Sequence, residues 1–104
     1  MKIYLSGPIS GHDLEERRSV FAAVQERLEG FGHVVFNPMC NGLPADAPTH
    51  DHMLRDIEAL LHCDAIFMME RWLHSKGCKL EFDVATAIGL PVWFEEVGET
   101  VRFS

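Results

Sequence analysis

The sequence contains no apolar run that approaches the roughly 20 residues needed to cross a membrane. Its amino terminus, MKIYLSGPISG, carries one lysine and then a short apolar run that ends at glycine and proline. That run is too short and too strand-like for a secretory signal. We therefore expect a soluble, cytoplasmic protein that has no membrane partner.

Cysteine is scarce, and its spacing fits no common cross-link or metal motif. Cys40, Cys63 and Cys78 are an odd number at wide intervals, which matches neither a disulfide framework nor a CxxC knuckle. His50 and His52 form an HxH pair, but no further Cys or His lies at a recognisable ligand spacing. The sequence predicts buried, reduced thiols, no metal site and no cofactor.

Positive charge is also sparse. Nine lysines and arginines stand against 16 acidic residues, which gives a net charge of −7. A field of that sign repels an extended polyanion, so DNA and RNA are not expected partners. A small anionic ligand stays compatible, because the backbone N–H groups of a helix N-terminus can bind one phosphate whatever the net charge.

What the sequence does contain is an alternation of short apolar runs and segments of helical periodicity, over a length typical of one domain. The runs predict strands at 2–6, 33–36, 65–69 and 92–94. The periodic segments predict helices at about 13–29, 53–61 and 75–88. Between the second strand and the second helix, residues 38 to about 51 predict a long loop, which is a candidate lid.

Strands that alternate with helices pair in parallel through right-handed crossovers. The predicted fold is therefore α/β, a flavodoxin-like (Rossmann-like), doubly wound parallel sheet of four to five strands in a single domain over residues 1–104. The first and third strands are the most apolar, so we expect them at the centre of the sheet. The last residues are candidates for a short edge element.

Ligands of such sheets bind at the carboxyl ends of the strands, so the loops at that edge are candidate binding segments. The loop after the first strand permits close backbone approach, although it lacks the GxGxxG fingerprint and also fits an ordinary tight turn. Asn37 follows the second strand at the same edge, and Trp72 follows the third, where it fits stacking on a base or packing against the lid. The first loop consists of Gly7, Pro8, Ile9, Ser10 and Gly11.

The start of the third helix carries the most informative pattern. Ser75 caps the helix, and Gly77 leaves its backbone N–H groups open to an anion. Glu81 lies about 6 Å further along the helix axis, and the helix dipole favours its ionised form. The alternative interpretation of this pattern is an ordinary serine cap followed by a glutamate on the protein surface, with no role in binding. On the second helix, Asp56 lies at the border of the apolar face, where it either points at the strand ends or is solvated.

Four segments occur in the order KIYLSGPISG, FGHVVFNP, LRDIEALLHCDAIFMM and SKGCKLEFDVATAIGLP. Together they resemble the nucleoside 2-deoxyribosyltransferase-like superfamily, whose marks are a Gly-rich loop after the first strand, an Asp on the second helix and an SxGxxxE-type segment opening the third. The resemblance covers residues 2–92 and is closest to a small branch of phage and bacterial proteins. The SxGxxxE element is also similar to that of the 2′-deoxynucleoside 5′-phosphate N-hydrolases.

The resemblance implies roles for individual residues. Glu81 falls on the nucleophile that attacks the anomeric carbon, and Asp56 on the carboxylate that assists departure of the base. Ser75 falls on a phosphate-binding serine of the hydrolases. Those hydrolases place a tyrosine on the first helix where this chain has Phe21, so a phenol that would position the nucleophile is missing there. Family sites are completed by a neighbouring subunit, to which the tail VGETVRFS offers Thr100 and Ser104.

The function implied by the resemblance is hydrolysis of the base–sugar bond of a nucleoside 5′-monophosphate through a covalent glycosyl-Glu81 intermediate. Transfer of the sugar to a second base is one alternative, and a non-catalytic nucleotide-binding module is another. The expected partners are a small-molecule nucleotide or nucleoside and a second copy of the chain in a homodimer. The predicted site joins catalytic Glu81 and Asp56 to substrate-binding Gly7, Pro8, Ile9, Ser10, Gly11, Asn37, Trp72, Ser75 and Gly77.

Overall fold

The computed structural model describes residues 1–96, and within them four strands form one parallel sheet. The strands are β1 (Lys2–Ser6), β2 (Val34–Phe36), β3 (Ala65–Met68) and β4 (Val92–Phe94). Their order is β2-β1-β3-β4, and all three neighbouring pairs are parallel. The predicted doubly wound α/β fold with β1 and β3 at its centre is confirmed. The edge element predicted for the last residues lies outside the described residues.

Three α-helices join the strands of the described segment: α1 (Leu14–Gly30), α2 (Thr49–Leu61) and α3 (Lys76–Ala87). The Asp13 side chain caps α1 by accepting hydrogen bonds from the N–H groups of Glu15 and Glu16. Helix α2 begins earlier than predicted, directly after Pro48. Its first turn is polar, with sequence THDH, so apolar periodicity could not mark it. The predicted long loop is correspondingly shorter and also contains a 3-10 turn at Pro38–Cys40. None of the helices in residues 1–96 is long and apolar enough to cross a membrane.

Strand β1 is buried from its second residue onward and sends alternate side chains into two separate cores. Ile3 and Leu5 pack with Phe21 of α1 on one face of the sheet. Tyr4 packs on the other face, with Leu60 of α2 and Cys78 of α3. Helix α1 therefore covers one face, while α2 and α3 cover the other. The crevice that opens between β1 and β3, where the crossovers part in opposite directions, is the expected ligand position in such a sheet.

Gly7 follows β1 at a point where the chain leaves no room for a side chain. A Cβ built there would lie 2.8 Å from Met69 Sδ and 3.1 Å from Phe21 Cζ. We expect Gly7→Ala to lower the free energy of unfolding by about 1–3 kcal/mol, because the added methyl overpacks this contact. Urea unfolding monitored by circular dichroism measures the loss.

Gly30→Ala is the matched control for this substitution. It lies at the exposed end of α1, and among residues 1–96 no atom beyond its own helix and chain neighbours comes within 4 Å of a Cβ built there. We expect it to be neutral or slightly stabilising, since alanine has the higher helix propensity. Equal unfolding free energies for the two variants would contradict the steric argument.

Candidate functional site

A cleft of about 990 Å³ opens at the carboxyl edge of the sheet. It is bounded by the loop after β1, the segment between β2 and α2, helix α2 and the first turns of α3. The structure brings most of the predicted site residues together in its lining: Gly7, Pro8, Ile9, Ser10, Gly11, Asp56, Ser75, Gly77 and Glu81. Three loops that are distant in the sequence thus face one space, as parallel strands require.

Two hydroxyl groups of β1 hold the Glu81 carboxylate in the cleft. Tyr4 Oη donates to Glu81 Oε2 at 2.6 Å, and Ser6 Oγ donates to Glu81 Oε1 at 2.6 Å. Both oxygens therefore have a short hydrogen bond, and the orientation of the carboxyl plane is fixed from the strand side. The Tyr4 ring is itself stacked on Phe36 at a centroid distance of 5.4 Å, which restrains the phenol.

Sequence reasoning missed Tyr4 and Ser6 as partners of Glu81. The phenol absent at Phe21 is supplied from a different element, at the carboxylate that needs it. A signal was present, because Tyr4 and Ser6 are two residues apart on a strand and so share one face. Two hydroxyls on one face of an otherwise apolar central strand require buried hydrogen-bond partners.

The electrostatic state of Glu81 also differs from expectation. Burial raises the pKa of Glu81 to about 7, against the lowering effect of the hydrogen bonds from Ser6 and Tyr4, and the charge of Asp56 raises it further. The helix dipole was expected to keep this carboxylate ionised, but removal from water outweighs it. Near neutral pH the side chain is therefore poised between its two protonation states. Burial and the Glu81 charge raise the pKa of Tyr4 well above its usual value, so the phenol remains a donor.

Asp56 reaches the same cleft from α2. Its Oδ1 accepts a hydrogen bond of 2.9 Å from Asn41 Nδ2. Burial raises the pKa of Asp56, while the Asn41 hydrogen bond, the charge that His52 carries when it is protonated and the charge of Arg55 lower it. The cleft thus holds two carboxyl groups on different helices, both with raised pKa values and with charges that interact.

The start of α3 presents the polar end of the cleft. Ser75 Oγ accepts from Cys78 N at 3.2 Å, which leaves its own hydroxyl proton available to donate. The N–H groups of the preceding first-turn residues, Lys76 and Gly77, have no intrahelical partner by the geometry of a helix start. A Cβ at Gly77 would have only Ser75 Oγ near it among the described residues, at 3.8 Å, so the backbone there is open to approach.

Asn37 and Trp72 are not among the described residues that line the cleft. The Asn37 carboxamide is engaged in capping, since its Oδ1 accepts from Met39 N at 2.9 Å and its Nδ2 donates to Gln25 at 3.1 Å. The Trp72 ring stacks on Phe82 at 4.8 Å and tilts against Phe94 at 5.9 Å. Each side chain is held by partners that its position in a loop does not reveal.

The thiols and the metal-ligating side chains show no second reactive centre in the described part of the chain. Cys63 and Cys78 are buried and free, as predicted, whereas Cys40 is exposed, because it ends the 3-10 turn on the outside of the segment. Among residues 1–96, no group of three or more His, Cys, Asp or Glu side chains is arranged to hold a metal ion.

The raised pKa of Glu81 gives stability a defined pH dependence. A carboxyl whose pKa rises on folding favours the native state while it is protonated, so its contribution is present below about pH 4.5 and is lost as pH rises through about 7. Glu81→Gln cannot ionise and escapes this loss. We expect its free energy of unfolding, relative to wild type, to increase by up to about 3 kcal/mol between pH 5 and pH 8. Urea titrations at both pH values measure it, and a pH-independent difference would contradict the buried titration.

Comparison with known proteins supports the fold and places the chain in a family. A solved structure of 2-deoxyribosyltransferase from the psychrotolerant bacterium Bacillus psychrosaccharolyticus, described as a biocatalyst for the synthesis of antiviral and antitumoral nucleosides, superposes with a TM-score of 0.74. The match covers 98% of this chain and 77% of that one, at 24% sequence identity. The fold is therefore that of a 2-deoxyribosyltransferase.

Sequence comparison adds the family. The search of curated proteins finds no match. Residues 1–94 match the family described as a domain of unknown function, DUF4406, and this span covers the entire sheet and all three helices. The chain therefore belongs to the DUF4406 family.

Proposed function

We propose that this chain is an N-glycoside hydrolase that cleaves the base–sugar bond of a nucleoside 5′-monophosphate, with residues 1–104 acting as one nucleoside 2-deoxyribosyltransferase-like domain. The observation that carries the proposal is the Glu81 carboxylate, fixed by two strand hydroxyls in a cleft that it shares with Asp56. The 2-deoxyribosyltransferase fold supports it, because that neighbour is named for chemistry at the same kind of bond.

In the first step, ionised Glu81 attacks the anomeric carbon C1′ of the sugar and forms an ester bond. The bond from C1′ to the base nitrogen breaks, and its electron pair leaves with the base. Protonated Asp56 gives its proton to the departing base, so the base leaves neutral. Burial makes Asp56 a weaker acid than an exposed aspartate, which increases the fraction that carries the proton needed in this step.

In the second step, water attacks C1′ and displaces Glu81. Asp56, now ionised, takes the proton that the water loses, and the products are the free base and the sugar phosphate. The hydrogen bonds from Tyr4 and Ser6 stabilise the carboxylate each time it becomes charged. Because the pKa of Glu81 is about 7, part of the protein carries the ionised nucleophile at neutral pH.

The two ends of the cleft suit the two ends of a nucleoside monophosphate. Ser75, Lys76 and Gly77 line the cleft at the start of α3. A phosphate bound there can accept hydrogen bonds from the Ser75 hydroxyl and from backbone N–H groups, and it gains from the helix dipole. Near Asp56, Met53 and Ile57 contribute apolar lining that can contact the face of a base.

A panel of ribo- and deoxyribonucleoside monophosphates, incubated with the protein and separated by chromatography, tests this proposal through the free base that appears. Parallel incubation of a nucleoside with a different free base tests the alternative activity, transfer of the sugar to a second base. Release of base without a new nucleoside supports hydrolysis. Tight nucleotide binding with no product from either mixture would instead identify a binding module.

We also propose a homodimer. Helices α2 and α3 cover one face of the sheet but leave large apolar side chains outward, with Leu54 69% and Leu61 52% exposed on α2 and Ile88 48% exposed after α3. A second copy that covers them would remove this apolar area from water. We expect a dimer in sedimentation at tens of micromolar, an order-of-magnitude choice suited to weak dimers, and a monomer there would contradict the proposal.

A further inference from the structure

Asn41 lies between the cleft wall and α2, and its carboxamide is fully engaged. It is buried, with 5% of its surface exposed. Its Oδ1 accepts from Leu43 N at 3.0 Å. Its Nδ2 is 2.9 Å from Asp56 Oδ1 and 3.0 Å from His52 Nδ1. Both amide hydrogens therefore have acceptors, and a flipped amide would direct its oxygen at a carboxylate.

The direction of these hydrogen bonds defines the tautomer of His52 when its ring is neutral. An amide nitrogen only donates, so His52 Nδ1 is the acceptor and the ring proton is on Nε2. His52 Nε2 then donates to the carbonyl oxygen of Pro44, 3.1 Å away. Imidazole and amide thus form a chain of hydrogen bonds from Asp56 to the backbone of the segment in front of α2.

A further hydrogen bond, from Arg55, joins the segment in front of α2 to that helix. Arg55 Nη1 donates to the carbonyl oxygen of Asn41 at 2.7 Å. The segment continues into the cleft wall, where Leu43, Ala45 and Ala47 contribute lining. One side chain, Asn41, therefore contacts both the wall and the Asp56 carboxylate.

We propose that Asn41 is a positioning residue that orients the Asp56 carboxyl group and fastens the wall formed by residues 41–48 to α2. Its catalytic consequence rests on the proposed function, whereas the link from Asn41 to Asp56 does not. Because Asn41 donates to Oδ1 in either protonation state of Asp56, the acid proton is directed to Oδ2. Asn41 thereby selects the atom that delivers the proton to the leaving base.

The ionisation of Asp56 gives a readout that a purely structural role of Asn41 would not change. The charged and titratable groups around Asp56 are His52 and Arg55 on its own helix, Glu81 on α3 and Tyr4 on β1. A substitution at Asn41 retains all of these groups and removes the Asn41 hydrogen bonds to Asp56 and to His52. Loss of its donor removes a hydrogen bond that lowers the pKa of Asp56, so that pKa rises.

Asn41→Ser tests this link, with Asn37→Ser as its matched control. Both asparagines are buried, both accept from the N–H group two residues ahead, and both donate through Nδ2, but Asn37 donates to Gln25 rather than to a carboxylate. Serine keeps a short acceptor for the turn and withdraws the amide donor. Carboxyl-carbon NMR titration is expected to show a higher Asp56 midpoint in Asn41→Ser and an unchanged one in Asn37→Ser. Equal midpoints in wild type and both variants would overturn the proposal.

A measurement on the wild-type protein covers the case in which Asn41→Ser does not fold. The Asn41 side-chain amide resonances are expected to shift with the Asp56 midpoint, while those of Asn37 do not follow it. Amide resonances of Asn41 that ignore the Asp56 titration would overturn the proposal. Neither NMR experiment requires turnover. If the protein releases no base, the proposed function is refuted, but the NMR test of the hydrogen bond from Asn41 to Asp56 is unaffected.

If base release is observed, kinetics provide the functional readout. We expect Asn41→Ser to lower kcat by about tenfold or more relative to Asn37→Ser, with a smaller change in KM, because proton delivery is impaired more than binding. A loss confined to KM would assign Asn41 to the wall alone and overturn its role toward Asp56.

Discussion

Glu81→Gln is expected to abolish base release, with kcat lower by on the order of a thousandfold or more. The amide keeps the size and planarity of the carboxylate, and the hydroxyls of Tyr4 and Ser6 can still bond to it, but it has no charge with which to displace the base. Nucleotide binding, measured by calorimetry, is expected to persist. With wild type, mass spectrometry of a quenched reaction is expected to show a sugar phosphate adduct on the peptide that contains Glu81.

Glu26→Gln is the matched control for this loss. It removes one carboxylate from an exposed position of α1, outside the residues that line the cleft in the described chain. Its kcat is expected to stay within about twofold of wild type, as substitutions away from functional contacts usually have small effects. Full activity of Glu81→Gln would refute the double displacement even if base release itself is real.

Asp56→Asn is expected to lower kcat by about a hundredfold or more, the usual contribution of a positioned general acid. The loss depends on the base. A base that leaves well without a proton needs the acid least, so the ratio of wild-type to variant kcat is expected to be smallest for that substrate. Stopped assays over a series of bases with graded leaving ability measure the trend.

Asp83→Asn is the control here, because Asp83 is exposed on α3 close to Glu81 in sequence but is not among the described cleft-lining residues. It removes the same charge without touching the site. A loss in Asp56→Asn that is equal for every base would contradict the acid role and favour a purely electrostatic one.

The sheet could be predicted from the sequence because short segments of the chain mark its strands. An apolar run that ends at Gly7 and Pro8 marks β1, and the run 65–69 between Asp64 and Glu70 marks β3. Alternation with helices determines their parallel pairing. The start of α2 could not be predicted from the sequence, because its first turn, THDH, carries no apolar residue that would mark a helix. The position of Glu81 followed from the loop at which its helix begins, together with the resemblance. Periodicity left Asp56 open between the strand ends and solvent, and the resemblance alone gave it a role.

The environment of these carboxyl groups could not be predicted in the same way. Treating β1 as one apolar run hid the alternation that turns Tyr4 and Ser6 toward α3. The pKa of Glu81 depends on how much water the surrounding elements exclude, which no local pattern encodes. Trp72 was assigned to the ligand by its place in a loop, but its aromatic partners, Phe82 and Phe94, come from later elements.

Strand β1 holds Glu81, whereas loops form the walls of the cleft, and this separation has a consequence for protein engineering. The hydroxyl groups that bond to Glu81 belong to a buried strand, whereas residues 8–11 and 43–47 contribute to the walls of the cleft. A library restricted to those two loops changes the shape and polarity offered to a ligand while the Tyr4 and Ser6 hydrogen bonds stay intact. Selectivity can therefore be diversified by loop grafting on one invariant scaffold, with Gly7 and Asn41 kept as the fixed junctions.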